Sequence, residues 1–201
     1  MTTTLRSIWI GVFLVLCACG GGTNVSNVEN ARRAYLGMDR SIDKAIDLAM
    51  QGYNMATAAN IPDVQTTGDV SGTLGVAGQV SRGTGASANS EMRLSTTYTM
   101  YSDAVTFEDG GMLRIRYDGA QLTTRDLNLS LRGIPTGTFT GTLARTLTMS
   151  GDLTGDVTLQ LAFVGQLQAT TSGGIQRAPG TTHITGTAMS PFGTFNVDVM
   201  R

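Results

Sequence analysis

From Gly151 to Ala169 the chain alternates almost without error. Leu153, Gly155, Val157, Leu159, Leu161, Phe163, Gly165, Leu167 and Ala169 share one parity, and mostly polar residues from Asp152 to Gln168 take the other. Successive side chains of a strand point to opposite faces, so this stretch has one dry face and one wet one. It belongs in an antiparallel sheet covered on one side only. At ~3.3 Å per residue the run would reach roughly 50–60 Å unbroken, so a bend or bulge is expected within it.

The same alternation organises the chain from Val64 onward. Strands are expected over 68–82, 90–102, 104–108, 112–117, 122–132, 137–149, 152–169, 180–190 and 193–200. Turn-forming groups separate them, among them Asp118-Gly119, Gly133-Ile134-Pro135, Ser150-Gly151-Asp152 and Ser172-Gly173-Gly174. Connections this short suit hairpins, which predicts a meander in sequence order. With 41% hydrophobic residues the chain can bury a core, and its 26 glycines and 4 prolines favour strands and turns over a helical bundle.

Before the strands lies one helical pattern. Val28, Ala31, Tyr35, Met38, Ile42, Ala45, Ala49 and Tyr53 recur at steps of three and four, and Ser26-Asn27-Val28-Glu29 fits a capping box. Arg32, Arg33, Arg40, Asp43, Lys44 and Asp47 fall on the opposite side, with Glu29 and Arg33 spaced for an ion pair. Asn60-Ile61-Pro62 predicts an end near residue 59. A helix of ~26–32 residues spans roughly 40–48 Å, enough to cross a sheet of eight strands.

A short pattern appears four times around a glycine of dry-face parity: Val70-Ser71-Gly72-Thr73-Leu74, Phe139-Thr140-Gly141-Thr142-Leu143, Leu153-Thr154-Gly155-Asp156-Val157 and Ile184-Thr185-Gly186-Thr187-Ala188. A glycine inside a strand marks a bend or a close approach. Gly72, Gly141, Gly155 and Gly186 would thus either seat the helix and bend the sheet, or leave a furrow that binds an acyl chain or another apolar ligand.

The first residues read differently. Arg6 precedes an apolar run, Ile8 to Leu16, followed by Cys17, Ala18 and Cys19. A charged start, a short apolar core and a small-residue exit describe a secretory signal. Leu16-Cys17-Ala18-Cys19 resembles the lipobox of bacterial lipoproteins. The resemblance implies removal of residues 1–18, acylation of Cys19 (palmitate or a similar chain) and a membrane anchor. Gly20, in place of the aspartate that retains many such proteins at the inner membrane, implies the outer membrane. Residues 19–25 then form a tether, and the helix over 26–60 and the sheet over 61–201 form one domain.

Chemistry is sparse. Only 14% of residues are charged and the net charge is −1, which gives no electrostatic footprint for nucleic acid. His183 is the only histidine, and both cysteines lie in the leader, so a site built of several histidines or thiolates is excluded. No Gly-x-Ser-x-Gly elbow or EF-hand spacing occurs. No cofactor or metal is expected, and no enzyme. The expected fold is mainly β (α+β), with one long N-terminal helix packed on a curved antiparallel meander or half-barrel of seven to nine strands. In outline this resembles the half-barrels of lipoprotein-carrying factors. Two functions fit: a non-enzymatic envelope lipoprotein carrying lipid between helix and sheet, or a structural one with a packed core that binds protein or glycan.

Overall fold

The computed structural model describes residues 27–83, 89–107, 111–122 and 124–201, so Cys19 and the capping residue Ser26 lie outside the described residues. Among the described residues are one helix, α1 (Asn27–Met55), and ten strands. These are β1 (Asn60–Thr67), β2 (Ser71–Arg82), β3 (Ser90–Ser102), β4 (Ile115–Gly119), β5 (Leu127–Arg132) and β6 (Thr138–Gly151). They continue with β7 (Gly155–Ala169), β8 (Ile175–Arg177), β9 (His183–Ser190) and β10 (Gly193–Met200). Every pairing is antiparallel, and apart from β3–β5, β4–β6 and β7–β9 each joins strands consecutive in the chain, as the short turns predict.

Ten strands make eight columns, because two columns are interrupted. β4 and β5 both lie between β3 and β6, one towards each end. β8 and β9 likewise share the same side of β7, separated by a turn over residues 178–182. The long alternating run is β7, with Val157, Leu159, Leu161, Phe163 and Leu167 buried. It begins only at Gly155, whose φ of 112° provides the expected break after the turn. Of the segment expected as a strand over 104–108, the described residues 104–107 form no strand, and Thr106 makes an isolated bridge to Met112. The helix ends at Met55, short of the expected 59, and Asn60 onward joins the sheet as β1. There Pro62 lies on an edge strand at a register slip, where a missing N–H is tolerated.

The apolar stripe of α1 fixes where the helix lies. Tyr35, Met38, Ile42 and Ile46 are fully buried, each contributing about 1.5–3 kcal/mol. The helix does not cross the strands, as its length alone allowed. It runs obliquely along them and packs against both ends of the sheet order. Ser41 meets Tyr98 of β3 while Tyr53 meets Ser90 at the start of that strand, so the two elements run in opposite directions. Tyr35 stacks on Phe195 of β10 at 5.3 Å, and Gly52 lies where any side chain would strike Ile61 of β1. Gly37 similarly admits the hydroxyl of Tyr117, which donates to the Ala34 carbonyl at 2.8 Å. Burial pushes the Tyr98 hydroxyl up to about 12 and raises Tyr35, Tyr101 and Tyr117 as well, so all four remain protonated donors near neutral pH.

The charged side of the helix is not simply solvated; it clamps both flanks. Arg40 and Lys44 reach Asp69, in the β1–β2 turn, at 2.5 and 3.1 Å, and Lys44 also reaches Asp103 at 2.7 Å. On the other flank Asp39, Asp43 and Asp47 face Arg177 and Arg201. The expected Glu29–Arg33 pair forms at 2.8 Å.

A buried ion pair occupies the interruption between β4 and β5. Arg145 takes a dry-face position on β6 between Leu143 and Leu147, and its side chain and that of Asp126 are each 1% exposed. Arg145 Nη1 donates to Asp126 at 2.9 Å and to the Thr96 carbonyl at 2.8 Å, and Nη2 donates to the Ala120 carbonyl at 2.8 Å. Asp126 also accepts from the amide and hydroxyl of Thr96, at 2.9 and 2.6 Å. The backbone of Asp126 still pairs with Leu94 of β3 and Ala144 of β6, and the ion pair supplies hydrogen bonds to Thr96 and Ala120 where the column between β4 and β5 is interrupted. Removing one partner strands the other charge in the core. Asp126→Leu or Arg145→Met alone is expected to lower stability by about 3–5 kcal/mol in urea unfolding, and the double variant by much less.

Candidate functional site

The four glycines of the recurring pattern sit at close approaches. A methyl group at Gly72 would strike the carbonyls of Thr99 and Met100, and one at Gly186 the carbonyl of Gln160 across the β7–β9 pair. Gly155 faces Pro191 of the β9–β10 turn, and Gly141 faces Leu129 and Phe163. Nearby sheet residues thus fill the space beside each one, and no α1 atom is among the nearest neighbours. Gly141 also borders a shallow depression of about 340 Å³, with Glu91, Ser130 and Thr140 at its rim. These positions give the glycines a packing role.

A larger cleft, about 610 Å³, lies between the C-terminal half of α1 and β8. Its position follows from the second interrupted column. β10 runs beside β9 as far as the Thr182–Arg201 hydrogen bonds, at 2.9 and 2.8 Å. Among the described residues, β7 is the one strand that pairs with β8. Asn54 of α1 takes over part of a strand's role there. Its carboxamide accepts from the Ile175 amide at 2.9 Å and donates to the Ile175 carbonyl at 2.8 Å, as a neighbouring backbone would.

Four charged residues line the cleft, and they are committed to one another. Arg177 donates to both carboxylate oxygens of Asp47, at 2.7 and 3.0 Å, and to Asp43 at 2.9 Å. Arg201 contacts Asp43 at 3.3 Å and also pairs with Asp39 on the preceding turn. Burial lifts Asp43 above the usual carboxylate range, although the hydrogen bond and charge of Arg177 pull it back. Burial alone would lower Arg177, but the hydrogen bonds and charges of Asp47 and then Asp43 raise it. The Arg177 guanidinium makes three close contacts to two carboxylates, which favours the ionic form of the cluster.

Other lining groups are uncommitted. Gln51 on α1, Gln168 on β7 and Gln176 on β8 line the cleft without a side-chain hydrogen bond among the described residues. Gln168 and Gln176 are register partners and lie side by side. Buried Met50 and Ile175 supply an apolar floor, and Pro179-Gly180 forms a lip. Little in the local sequence pattern marks this site. The glutamines have the wet-face parity of their strands, but no local pattern shows that β10 stops short of β8. His183 lies elsewhere, with Nε2 2.6 Å from Asp198 on the outer face of β9 and β10. Among the described residues no group of three or more His, Cys, Asp or Glu side chains is placed to hold a metal ion. Nor is any described helix long and apolar enough to cross a membrane.

Asn54 pairs both backbone groups of Ile175 from the helix side. Asn54→Ala is expected to cost about 1–3 kcal/mol and to accelerate hydrogen exchange at the Ile175 amide, with amides in the centre of β7 unaffected.

No protein-family model, curated protein or solved structure matches this chain.

Proposed function

We propose that this chain is a non-enzymatic, lipid-anchored protein of the cell envelope. Its interior is packed, and it binds partners or ligands at its surface. The lipobox-like Leu16-Cys17-Ala18-Cys19 supports the anchor, with Cys19 as the acylated residue and the outer membrane as the destination. Several acyl chains, at ~0.8 kcal/mol per buried methylene, hold such a protein on its membrane.

The observation that carries the packed-interior reading is the single buried cluster joining α1 to the sheet. It runs from Ala34 and Tyr35 on the helix through Leu74, Leu94, Leu129, Phe139 and Leu161 to Val197 near the last edge. Carrying lipid between helix and sheet would require α1 to swing away. That movement would break the ion pairs on both of its flanks and expose its whole apolar stripe. Surface binding requires neither.

The test uses the full chain, expressed in a bacterium with two membranes and fed an alkyne-bearing palmitate. The expected result is a labelled protein in the outer-membrane fraction. Cys19→Ser should lose both the label and the sedimentation with membranes. Solvent extraction of the purified Cys19→Ser protein should release no stoichiometric fatty acid or phospholipid. A label that survives the substitution would sink the anchor, and a stoichiometric lipid would sink the packed interior.

A further inference from the structure

We propose that the cleft between α1 and β8 binds a neutral, polyhydroxylated ligand: a hexose, free or at the end of a glycan chain. The proposal rests on the reading of a packed body that binds at its surface, and it names the chemistry of that binding.

Volume comes first. At about 610 Å³ the cleft falls within the range of small-molecule sites, roughly 300–1,000 Å³, and accommodates one or two sugar rings. Charge comes next. Asp43, Asp47, Arg177 and Arg201 line the cleft as two acids and two bases already paired, so neither an anion nor a cation finds an uncommitted counter-charge. Displacing one of these pairs would leave its partner charge partly buried, which is unfavourable. The cleft therefore discriminates against ions.

The groups left for a ligand are amides. Gln51, Gln168 and Gln176 each offer two N–H donors and one carbonyl acceptor. Adjacent sugar hydroxyls each donate and accept, so one carboxamide can bridge a vicinal pair with both of its ends. β8 adds backbone. The Ala178 amide bonds to Gln166 and the Thr170 amide to Gly174, so ladder alternation turns the N–H and C=O of Ile175 and Arg177 away from β7. Asn54 takes those of Ile175, which leaves those of Arg177 facing the cleft. The floor of Met50 and Ile175, with Pro179 at the lip, suits the C–H face of a pyranose. A fatty acid would instead need a long dry channel, and three amides and three ion pairs interrupt this one.

The experiment titrates the full chain in a detergent without a sugar headgroup. The probes are methyl α-glucoside, methyl β-galactoside, N-acetylglucosamine and its β-1,4 dimer, followed by calorimetry and saturation-transfer NMR. Inorganic phosphate and spermidine report on ions, and a dansylated fatty acid reports on lipid. Saturable binding of at least one sugar is expected, with no uptake of either ion. Gln51→Ala and Gln176→Ala should each weaken that binding about tenfold. Both residues are exposed, so the midpoint of thermal unfolding should not move, which separates lost contacts from lost fold. Tighter binding of the dimer than of the monosaccharide would identify a glycan end as the source. No saturable sugar binding at tens of millimolar would overturn the proposal, as would equal binding by the double variant Gln51→Ala/Gln176→Ala. Saturation by phosphate or spermidine alone would overturn it too. Uptake of the dansylated fatty acid would instead overturn the packed-interior reading, whatever the sugars do.

Discussion

A sheet with one dry face must close on itself or be covered, and here a single helix does both. Eight columns of strands curl until β1 and β10 flank the same helix. α1 lies in the remaining gap with its apolar stripe turned into the trough. The sheet cannot close without it, because β1 and β10 each have a strand partner on one side only. An exposed sheet edge is also a hazard for self-association, and helices and prolines are among the devices that blunt such edges. One helix thus supplies a core face and packs beside both edges.

The clamp explains why α1 does not slide. Its two charged rows have opposite signs, with Arg40 and Lys44 towards the β1–β3 side and Asp39, Asp43 and Asp47 towards Arg177 and Arg201. Turning the helix about its axis would place like charge against like. Exposed pairs contribute little to stability one by one, about 0–1 kcal/mol, but an arrangement of opposed rows fixes orientation and register. Apolar burial drives the helix into the trough, and charge decides which way it faces.

Period and alternation made most of the fold legible. The stripe from Ala31 to Tyr53 placed the helix, although Val28, expected to begin it, is exposed, and the run through Val157 and Leu167 placed β7 and the side of it that is dry. The helix end was harder to see, because Asn60-Ile61-Pro62 reads as a stop signal and is also the start of an edge strand that tolerates proline. Arg145 was also hidden. It has the parity of a core residue, and only the interruption of the column between β4 and β5, a tertiary event, gives its guanidinium carbonyls and a carboxylate to bind. The glycines were legible as close approaches, but sequence could not say what would approach them. Carbonyls, a proline ring and two large side chains do so, and the helix does not.

The two interrupted columns show why one break is sealed and the other is open. Between β4 and β5 the chain leaves the ladder in the middle of the sheet, with β3 and β6 on either side. Thr96 of β3, which faces this break, is fully buried, and leaving its backbone groups unsatisfied is expensive. Arg145 and Asp126 fill the space with fixed donors and acceptors, at the expense of a desolvated charge pair. Between β8 and β9 the break faces the end of β10, so one side meets no strand. Water can reach that side, and only Ile175 is capped, by Asn54. A sealed break becomes part of the core. An open break beside a helix, with its charges paired and its amides uncommitted, has the makings of a binding site.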